Sequence, residues 1–151
     1  MIRFADFKDF DRIIEMLVNY ANTAPVPALH NPEYDLRRTQ HSLAHIIANG
    51  CIIVATDSDD VPQGMLLAAI VPDMWLPHVK ALRELAWWVE PEFRNTTMGY
   101  RLMSKYIEYG ESLRDAGVID NFTLSLLSIS PDLKLEKRGF REIETTYVFE
   151  G

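Results

Sequence analysis

The sequence predicts an α/β protein whose central sheet is mixed, mostly antiparallel and flanked by helices. Amphipathic stretches with helical spacing alternate with short β-branched stretches, which is the pattern of a sheet covered by helices. The strands in the middle of the chain are separated only by turns, so we expect them to run antiparallel. A chain of 151 residues has room for one core, and we expect residues 1–151 to form a single domain.

The N-terminal third is predicted to contain one strand and two helices. Residues 2–4 are a short apolar strand. Helical spacing then recurs among Phe10, Ile13, Ile14, Leu17 and Ala21. Residues 22–35 contain several prolines and are predicted to be a loop. A second amphipathic helix is predicted over residues 36–48.

The next part of the chain is predicted to be three strands. Residues 51–57 and 65–75 are apolar and β-branched, and the turn at 58–64 between them predicts a hairpin with a longer loop. A further strand is predicted over residues 82–89. Pro91 marks its end, since proline has no N–H to give to a central ladder.

The C-terminal part is predicted to alternate between helices and strands. A long amphipathic helix covers residues 98–116, and a strand follows at 121–128. Ser130 is the expected N-cap of a short helix over 130–139, with a proline in its first turn and a glycine at its end. Residues 141–150 are predicted to be the last strand. The full predicted order is β-α-α-β-β-β-α-β-α-β.

The composition argues against several classes of function. Cys51 is the only cysteine, so an internal disulfide is impossible and we expect a reducing compartment. A net charge of -7 argues against binding to nucleic-acid backbones and is compatible with a cationic substrate. The chain has neither a signal-peptide pattern nor an apolar run of the roughly 18 residues that a membrane span needs. We therefore expect a cytoplasmic protein without membrane or nucleic-acid partners. The histidines and the cysteine do not cluster, so no metal site is expected.

The junction between the predicted strand and helix at residues 89–99 has the features of an anion site. The first N–H groups of a helix lack intrahelical partners, and the helix macrodipole adds partial positive charge there. Arg94 precedes the helix, and Gly99 leaves its own backbone open to a phosphate. An ordinary strand-to-helix connection, with Thr96 or Thr97 as N-cap, is the alternative interpretation.

Two short motifs narrow the choice of anion. The phosphate-binding motifs of P-loop and dinucleotide folds are missing. The pattern V-x-P-x-x-[RQ]-x-x-G-x-[GA] is matched, with one departure, by Val89, Pro91, Arg94, Thr97 and Gly99. Residues 136–140 read E-K-x-G-F. Both stretches resemble motifs of the GNAT superfamily of acyl-CoA-dependent N-acetyltransferases, and the predicted order of elements agrees with that family. The stretch 84–94 is most similar to small bacterial and phage members.

The resemblance implies that acetyl-CoA is the acyl donor and that its pyrophosphate lies on the backbone around the helix start. The implied CoA-binding residues are Trp88, Val89, Arg94, Asn95, Thr96, Thr97, Met98, Gly99, Tyr100 and Ser128. In the family the strand that ends here separates from the next one, often at a bulge, and the pantetheine arm lies in the gap. Backbone N–H groups around Trp88 and Val89 would then stabilise the thioester oxygen.

Glu84 is the candidate general base. The implied reaction is direct attack of an amine on the thioester, and an amine with a pKa of about 10.4 is almost fully protonated at pH 7. Relatives often carry a carboxylate on this strand that faces the acceptor, and Glu84 lies on that strand here. The alternative is a solvated acid beside Arg83, because strand alternation near a bulge does not show which face a residue occupies.

Two departures from the family pattern keep a second function open. Thr97 stands at the position of the first glycine, and Leu135 stands at the tyrosine that can protonate the CoA sulfur in many relatives. One function is an N-acetyltransferase that acts on an amine of a protein or small molecule. The other is a CoA-binding or protein-interaction module of the same fold with little or no activity. Relatives are frequently dimers, and Met74 and Trp75 are candidates for a homodimer contact.

Overall fold

The computed structural model describes residues 1–151 and contains a five-stranded sheet and three α-helices. The strands are β1 (Ile2–Phe4), β2 (Gly50–Thr56), β3 (Pro62–Pro72), β4 (Lys80–Val89) and β5 (Asn121–Thr123). The helices are α1 (Phe10–Thr23), α2 (Leu36–Ala48) and α3 (Met98–Asp115). None of the helices is long and apolar enough to cross a membrane.

The sheet is mixed, and the predicted fold class is confirmed. Its spatial order is β1-β2-β3-β4-β5, the same as the order along the chain. The first four strands pair antiparallel, as the turns between them predicted, and β4 pairs parallel with β5. A parallel pair needs a crossover connection, and α3 supplies it.

The helices cover both faces of the sheet and bury two clusters of apolar side chains. On one face α1 and α2 pack through Ile13, Met16 and Leu43 against Ile52, Val54, Met65 and Leu67. On the other face α3 packs through Leu102 and Tyr106 against Ile53, Leu66 and Leu82. Neighbouring residues of a strand point to opposite faces, so Trp88 joins the first cluster while Trp87 and Val89 pack against the second.

The ladder between β4 and its neighbours is interrupted in its middle. Leu67 pairs with Ala86 whereas Ala68 pairs with Glu84, so Leu85 is an extra residue that forms a β-bulge. On the other side β4 pairs with β5 only from Ala81–Asn121 to Arg83–Thr123. Beyond this point the two strands diverge and a gap opens between them.

A buried tyrosine marks the place where the strands part. The Tyr106 hydroxyl lies 2.7 Å from the carbonyl oxygen of Thr123 and 3.1 Å from that of Leu82, and it donates its proton to these acceptors. The side chain is fully buried. Tyr106 therefore ties α3 to the last paired residues of β4 and β5.

The C-terminal part differs from the sequence-based prediction in three respects. The strand expected at 121–128 is limited to Asn121–Thr123, because the chain leaves β4 there and loses its ladder partner. In place of the short helix expected from Ser130, a 3-10 turn forms at Leu135–Arg138, and residues 127–130 form a separate turn. The N-cap of the 3-10 turn is Lys134, with a positive φ of 52°. The strand expected at 141–150 has no ladder partner and does not form.

The connection between β3 and β4 is a turn that exposes two large apolar residues. Asp73 accepts hydrogen bonds from the N–H groups of Trp75 and Leu76, which ends β3 three residues earlier than predicted, at Pro72. Met74 and Trp75 are 80% and 84% exposed. Exposed apolar side chains are compatible with the homodimer contact considered from the sequence. That a second copy of the chain packs on this turn stays a prediction.

Candidate active site

The gap between β4 and β5 widens into a cleft of about 460 Å³. Its walls come from the second half of β4, the C-terminal end of α1, the first turns of α3 and the segment 125–133. They meet where β5 leaves β4, next to the bulge at Leu85. The divergence of the strands thus provides both the space and the unpaired backbone that a binding site needs.

Glu84 lies at the bulge and faces into this cleft. Its exposed fraction is 8%, and one carboxylate oxygen accepts a hydrogen bond of 3.2 Å from the backbone N–H of Ser125. Burial raises the pKa of Glu84 to about 7, against a smaller lowering by the Ser125 N–H. Arg83 is exposed and forms no ion pair with Glu84. The carboxyl group therefore exchanges a proton near neutral pH, as a general base must.

Two aromatic residues form the wall next to Glu84. Trp88 is 7% exposed, and its indole N–H has no hydrogen-bond partner. Tyr20 of α1 packs edge-to-face against it, with ring centroids 6.4 Å apart. Burial and then the charge of Glu84 raise the pKa of Tyr20, so its hydroxyl stays protonated at neutral pH. Tyr20 was not predicted as a site residue, because its spacing from Ile13 and Leu17 on α1 is that of an ordinary core residue.

The backbone at the end of β4 presents free groups to the gap. The N–H of Glu90 donates to Gln63 in the direction of β3, at 2.8 Å. Backbone groups of successive residues point to opposite sides of a strand, so the N–H and C=O of Val89 face the gap while the N–H of Trp88 faces β3. Of the two N–H groups predicted to stabilise the thioester oxygen, the structure places that of Val89 in the gap and that of Trp88 outside it.

The start of α3 lies at the mouth of the cleft and has unpaired N–H groups. Thr96 accepts a hydrogen bond of 3.2 Å from the N–H of Met98, whereas the N–H groups of Thr97, Gly99 and Tyr100 have no acceptor. A side chain at Gly99 would have ordinary contact with Val89, at 3.7 Å. Packing therefore does not require glycine at this position. Its absent side chain keeps the backbone open to an anion.

Arg94 points into the cleft rather than towards the start of the helix. Its Nε donates a hydrogen bond of 2.9 Å to the carbonyl oxygen of Val89. The guanidinium carbon lies 4.5 Å from the centroid of the Trp88 ring, which is a cation–π contact. Arg94 forms no ion pair. In this structure its side chain therefore occupies the part of the cleft beside Trp88.

Comparisons with known proteins agree with this arrangement. The model of the acetyltransferase (GNAT) family matches residues 14–124, which is most of the chain. The chain belongs to this acetyltransferase family. No protein with a curated function matches the sequence.

The solved structures that resemble the chain carry the same GNAT fold at low sequence identity. A possible acetyltransferase from Clostridium difficile 630 has a TM-score of 0.69 and 17% identity, and the match covers 100% of this chain and 97% of that one. A predicted acetyltransferase with acetyl-CoA from Clostridium acetobutylicum has a TM-score of 0.71 and 13% identity over 99% and 95% of the two chains. Glucosamine-6-phosphate N-acetyltransferase from Arabidopsis thaliana has a TM-score of 0.65 and 16% identity over 99% and 98%.

Several positions singled out by the GNAT motifs lie outside the cleft. Ser128 is exposed in the turn 127–130 and does not line it, and Leu135 is half-buried on the short 3-10 turn. Thr97 and Met98 line a smaller pocket of about 170 Å³ that lies next to β1. Asn95 is exposed and lines neither pocket.

The cleft wall that the sequence analysis missed comes from the segment after β5. Its lining residues there are Ser125, Leu126, Leu127, Ile129, Ser130, Pro131 and Leu133. A regular strand over 121–128 would have paired alternate backbone groups with β4 instead. The sequence gives no signal for where the strands diverge, because both halves of the segment are equally apolar and β-prone.

Proposed function

We propose that the protein is an N-acetyltransferase that transfers an acetyl group from acetyl-CoA to an amine of a protein or small molecule. The observation that carries this proposal is the position of Glu84: a buried carboxyl group, with a pKa raised to about 7, in the gap where two strands diverge. Membership of the acetyltransferase family supports the same class of reaction.

The donor is proposed to bind across the start of α3 and along the end of β4. The unpaired N–H groups of Thr97, Gly99 and Tyr100 are suited to the pyrophosphate, and the helix macrodipole favours its negative charge. The pantetheine arm carries amide groups, and one of their N–H groups can donate to the C=O of Val89 that faces the gap. This path would bring the thioester to the Val89 N–H, in the same cleft that Glu84 faces.

The chemistry needs one carboxylate and one backbone donor. The acceptor loses one proton to solvent to give the neutral amine, and ionised Glu84 accepts a second proton, directly or through a water molecule, as the amine nitrogen forms a bond to the thioester carbon. The oxygen of the tetrahedral intermediate takes the negative charge, and the Val89 N–H donates to it. The C–S bond then breaks and CoA leaves as a thiolate.

Leu135 stands where many relatives have a tyrosine. The CoA thiolate can still receive a proton without that tyrosine. An ordinary thiol has a pKa of about 8.5, above the value of about 7 for Glu84. Protonated Glu84 can therefore give its proton to the thiolate, directly or through a water molecule, and the carboxylate is regenerated. This route balances the protons without a second acid.

The second candidate function is a CoA-binding module of the same fold, and it stays open because Thr97 and Leu135 depart from the family pattern. Turnover of acetyl-CoA distinguishes the two functions. The purified protein is incubated with acetyl-CoA and a panel of amines, and the released CoA thiol is measured. We expect thiol release that depends on the amine. Binding of acetyl-CoA without amine-dependent release from any member of the panel would favour the module.

The donor site is tested by a pair of substitutions at Gly99. Gly99→Glu places bulk and negative charge where the pyrophosphate would approach, and we expect it to abolish CoA binding in calorimetry. Gly99→Ala is the matched control, since its methyl group has room beside Val89. A folded Gly99→Glu variant with unchanged affinity would rule this site out.

A further inference from the structure

Arg94 contacts two groups in the cleft, a backbone carbonyl and an aromatic ring. The carbonyl oxygen of Val89 faces the gap and accepts a hydrogen bond from Arg94. The guanidinium covers one face of the Trp88 indole ring. Arg94 is exposed overall and uses one of its five N–H groups in this hydrogen bond, so little packing resists its movement.

The covered face of Trp88 has the chemistry of a site for an organic cation. An aromatic face attracts a cation through its quadrupole, and the attraction grows where water is excluded, as beside a nearly buried indole. Tyr20 packs on the same ring, and the carboxyl group of Glu84 lies in the same cleft. The guanidinium of Arg94 is itself a planar organic cation, so the structure already shows this face holding one.

We propose that the Trp88 face, with Tyr20 and Glu84, is a subsite for a cationic group of the acceptor, and that Arg94 covers it until CoA binds. This inference rests on the proposed transfer to an amine and specifies the acceptor as a cation. An amine with a pKa of about 10.4 arrives protonated, so it carries the charge that the subsite attracts.

CoA is the ligand that removes Arg94 from the subsite. A pyrophosphate offers a guanidinium full negative charge and two parallel hydrogen bonds, whereas the Val89 carbonyl offers one neutral acceptor. Arg94 lies four residues before Met98, the first residue of α3, and its guanidinium moves from Val89 and Trp88 to the pyrophosphate. The same movement frees the Val89 carbonyl for the pantetheine arm and the indole face for the acceptor. Donor and acceptor therefore bind cooperatively, with the donor first.

The experiment measures binding without turnover. Wild-type protein is titrated with n-butylammonium chloride, with and without saturating CoA, while the indole N–H signal of Trp88 is followed by NMR. Without CoA we expect the cation to bind weakly. With CoA we expect its affinity to rise by about 5- to 20-fold, which is the gain expected when the Trp88 face becomes free for a cation–π contact. 1-Butanol, the uncharged analogue, should bind equally weakly in both conditions.

Arg94→Ala tests the subsite independently of CoA. This variant should bind n-butylammonium without CoA as tightly as wild type does with CoA, and CoA should add less than about twofold. Arg101→Ala removes the same charge from an exposed position of α3 outside the cleft, and it should behave as wild type.

The proposal is overturned if Arg94→Ala binds the cation no more tightly than wild type, or if 1-butanol binds as well as the cation. Failure of CoA to bind wild type would count against the proposed function instead, and the Arg94→Ala comparison would still decide the subsite.

Discussion

Glu84 lies in β4 and Glu90 directly follows that strand, and their exposed fractions are 8% and 7%. Their partners are different. Glu90 accepts hydrogen bonds from Asn19 at 2.9 Å and from Arg12 at 3.2 Å, both on α1. Glu84 accepts one bond, from a backbone N–H, and has no positively charged partner.

The difference separates a structural carboxylate from a reactive one. Arg12 and Asn19 hold Glu90 and thereby fix α1 to the end of β4, next to Tyr20 in the cleft wall. A buried charge with well-placed partners stabilises one arrangement, whereas a buried carboxyl group without a cation exchanges its proton near neutral pH. Glutamate therefore has two roles along this short stretch of chain, and the hydrogen-bonding partners of each carboxylate decide which role it has.

The largest expected effect is on turnover. Glu84→Gln removes the proton acceptor but keeps an oxygen for the Ser125 N–H, so kcat should fall by about 10²- to 10⁴-fold while acetyl-CoA affinity stays unchanged. Glu90→Gln is the matched control, with the same chemical change outside the reacting part of the cleft. It should keep kcat within about tenfold of wild type. Equal losses in the two variants would remove the distinction between the two carboxylates.

The second effect is on stability as a function of pH. The pKa of Glu84 is raised by burial from 4.5 to about 7, so the folded protein keeps a proton that the unfolded chain releases between these values. The free energy of unfolding of wild type should therefore fall, relative to Glu84→Gln, as pH rises through this range. Between pH 4 and pH 8 the difference in unfolding free energy should move in favour of the variant by roughly 3 kcal/mol, at about 1.4 kcal/mol per pKa unit. Urea unfolding of both proteins from pH 4 to 8 gives the difference, and a constant difference across this range would contradict the account.

The third and smallest effect is on the stability contributed by Glu90. Glu90→Gln keeps the shape of the side chain but loses the charge opposite Arg12, and we expect unfolding to require about 1 to 3 kcal/mol less free energy at pH 7. Glu84→Gln should shift stability in the opposite direction under the same conditions. Opposite signs of these two changes in unfolding free energy are thus the clearest evidence that the two carboxylates have different roles. Two changes of the same sign would mean that both carboxylates are structural.

The sequence predicted the framework well because periodicity is a local property of the chain. α2 was predicted with the observed bounds, α3 was predicted to end one residue later than it does, and the apolar spacing from Phe10 to Ala21 lies within α1. The candidate site residues proposed from the sequence, Glu84 and the α3 start, lie within one continuous stretch that carries a family motif.

The remaining features depend on how distant segments meet. Nothing in the sequence shows that Leu85 forms a bulge or that β5 ends at Thr123, because both depend on how two strands pair. Tyr20 and Ser125 enter the site from other elements, so their ordinary helical or strand spacing did not mark them. The direction of the Arg94 side chain is set by contacts with Val89 and Trp88, which no local pattern encodes.

The pH dependence of kcat/KM tests most directly whether Glu84 is the base. With an acceptor that the protein acetylates, kcat/KM of wild type should rise with pH through a midpoint near 7, the value to which burial raises the pKa of Glu84. An acceptor whose own amine titrates well above this range keeps the two ionisations separate. Glu84→Gln should lose this step, while Glu90→Gln should retain it. A step near pH 7 that survives in Glu84→Gln would contradict the account, because another group would then carry the proton.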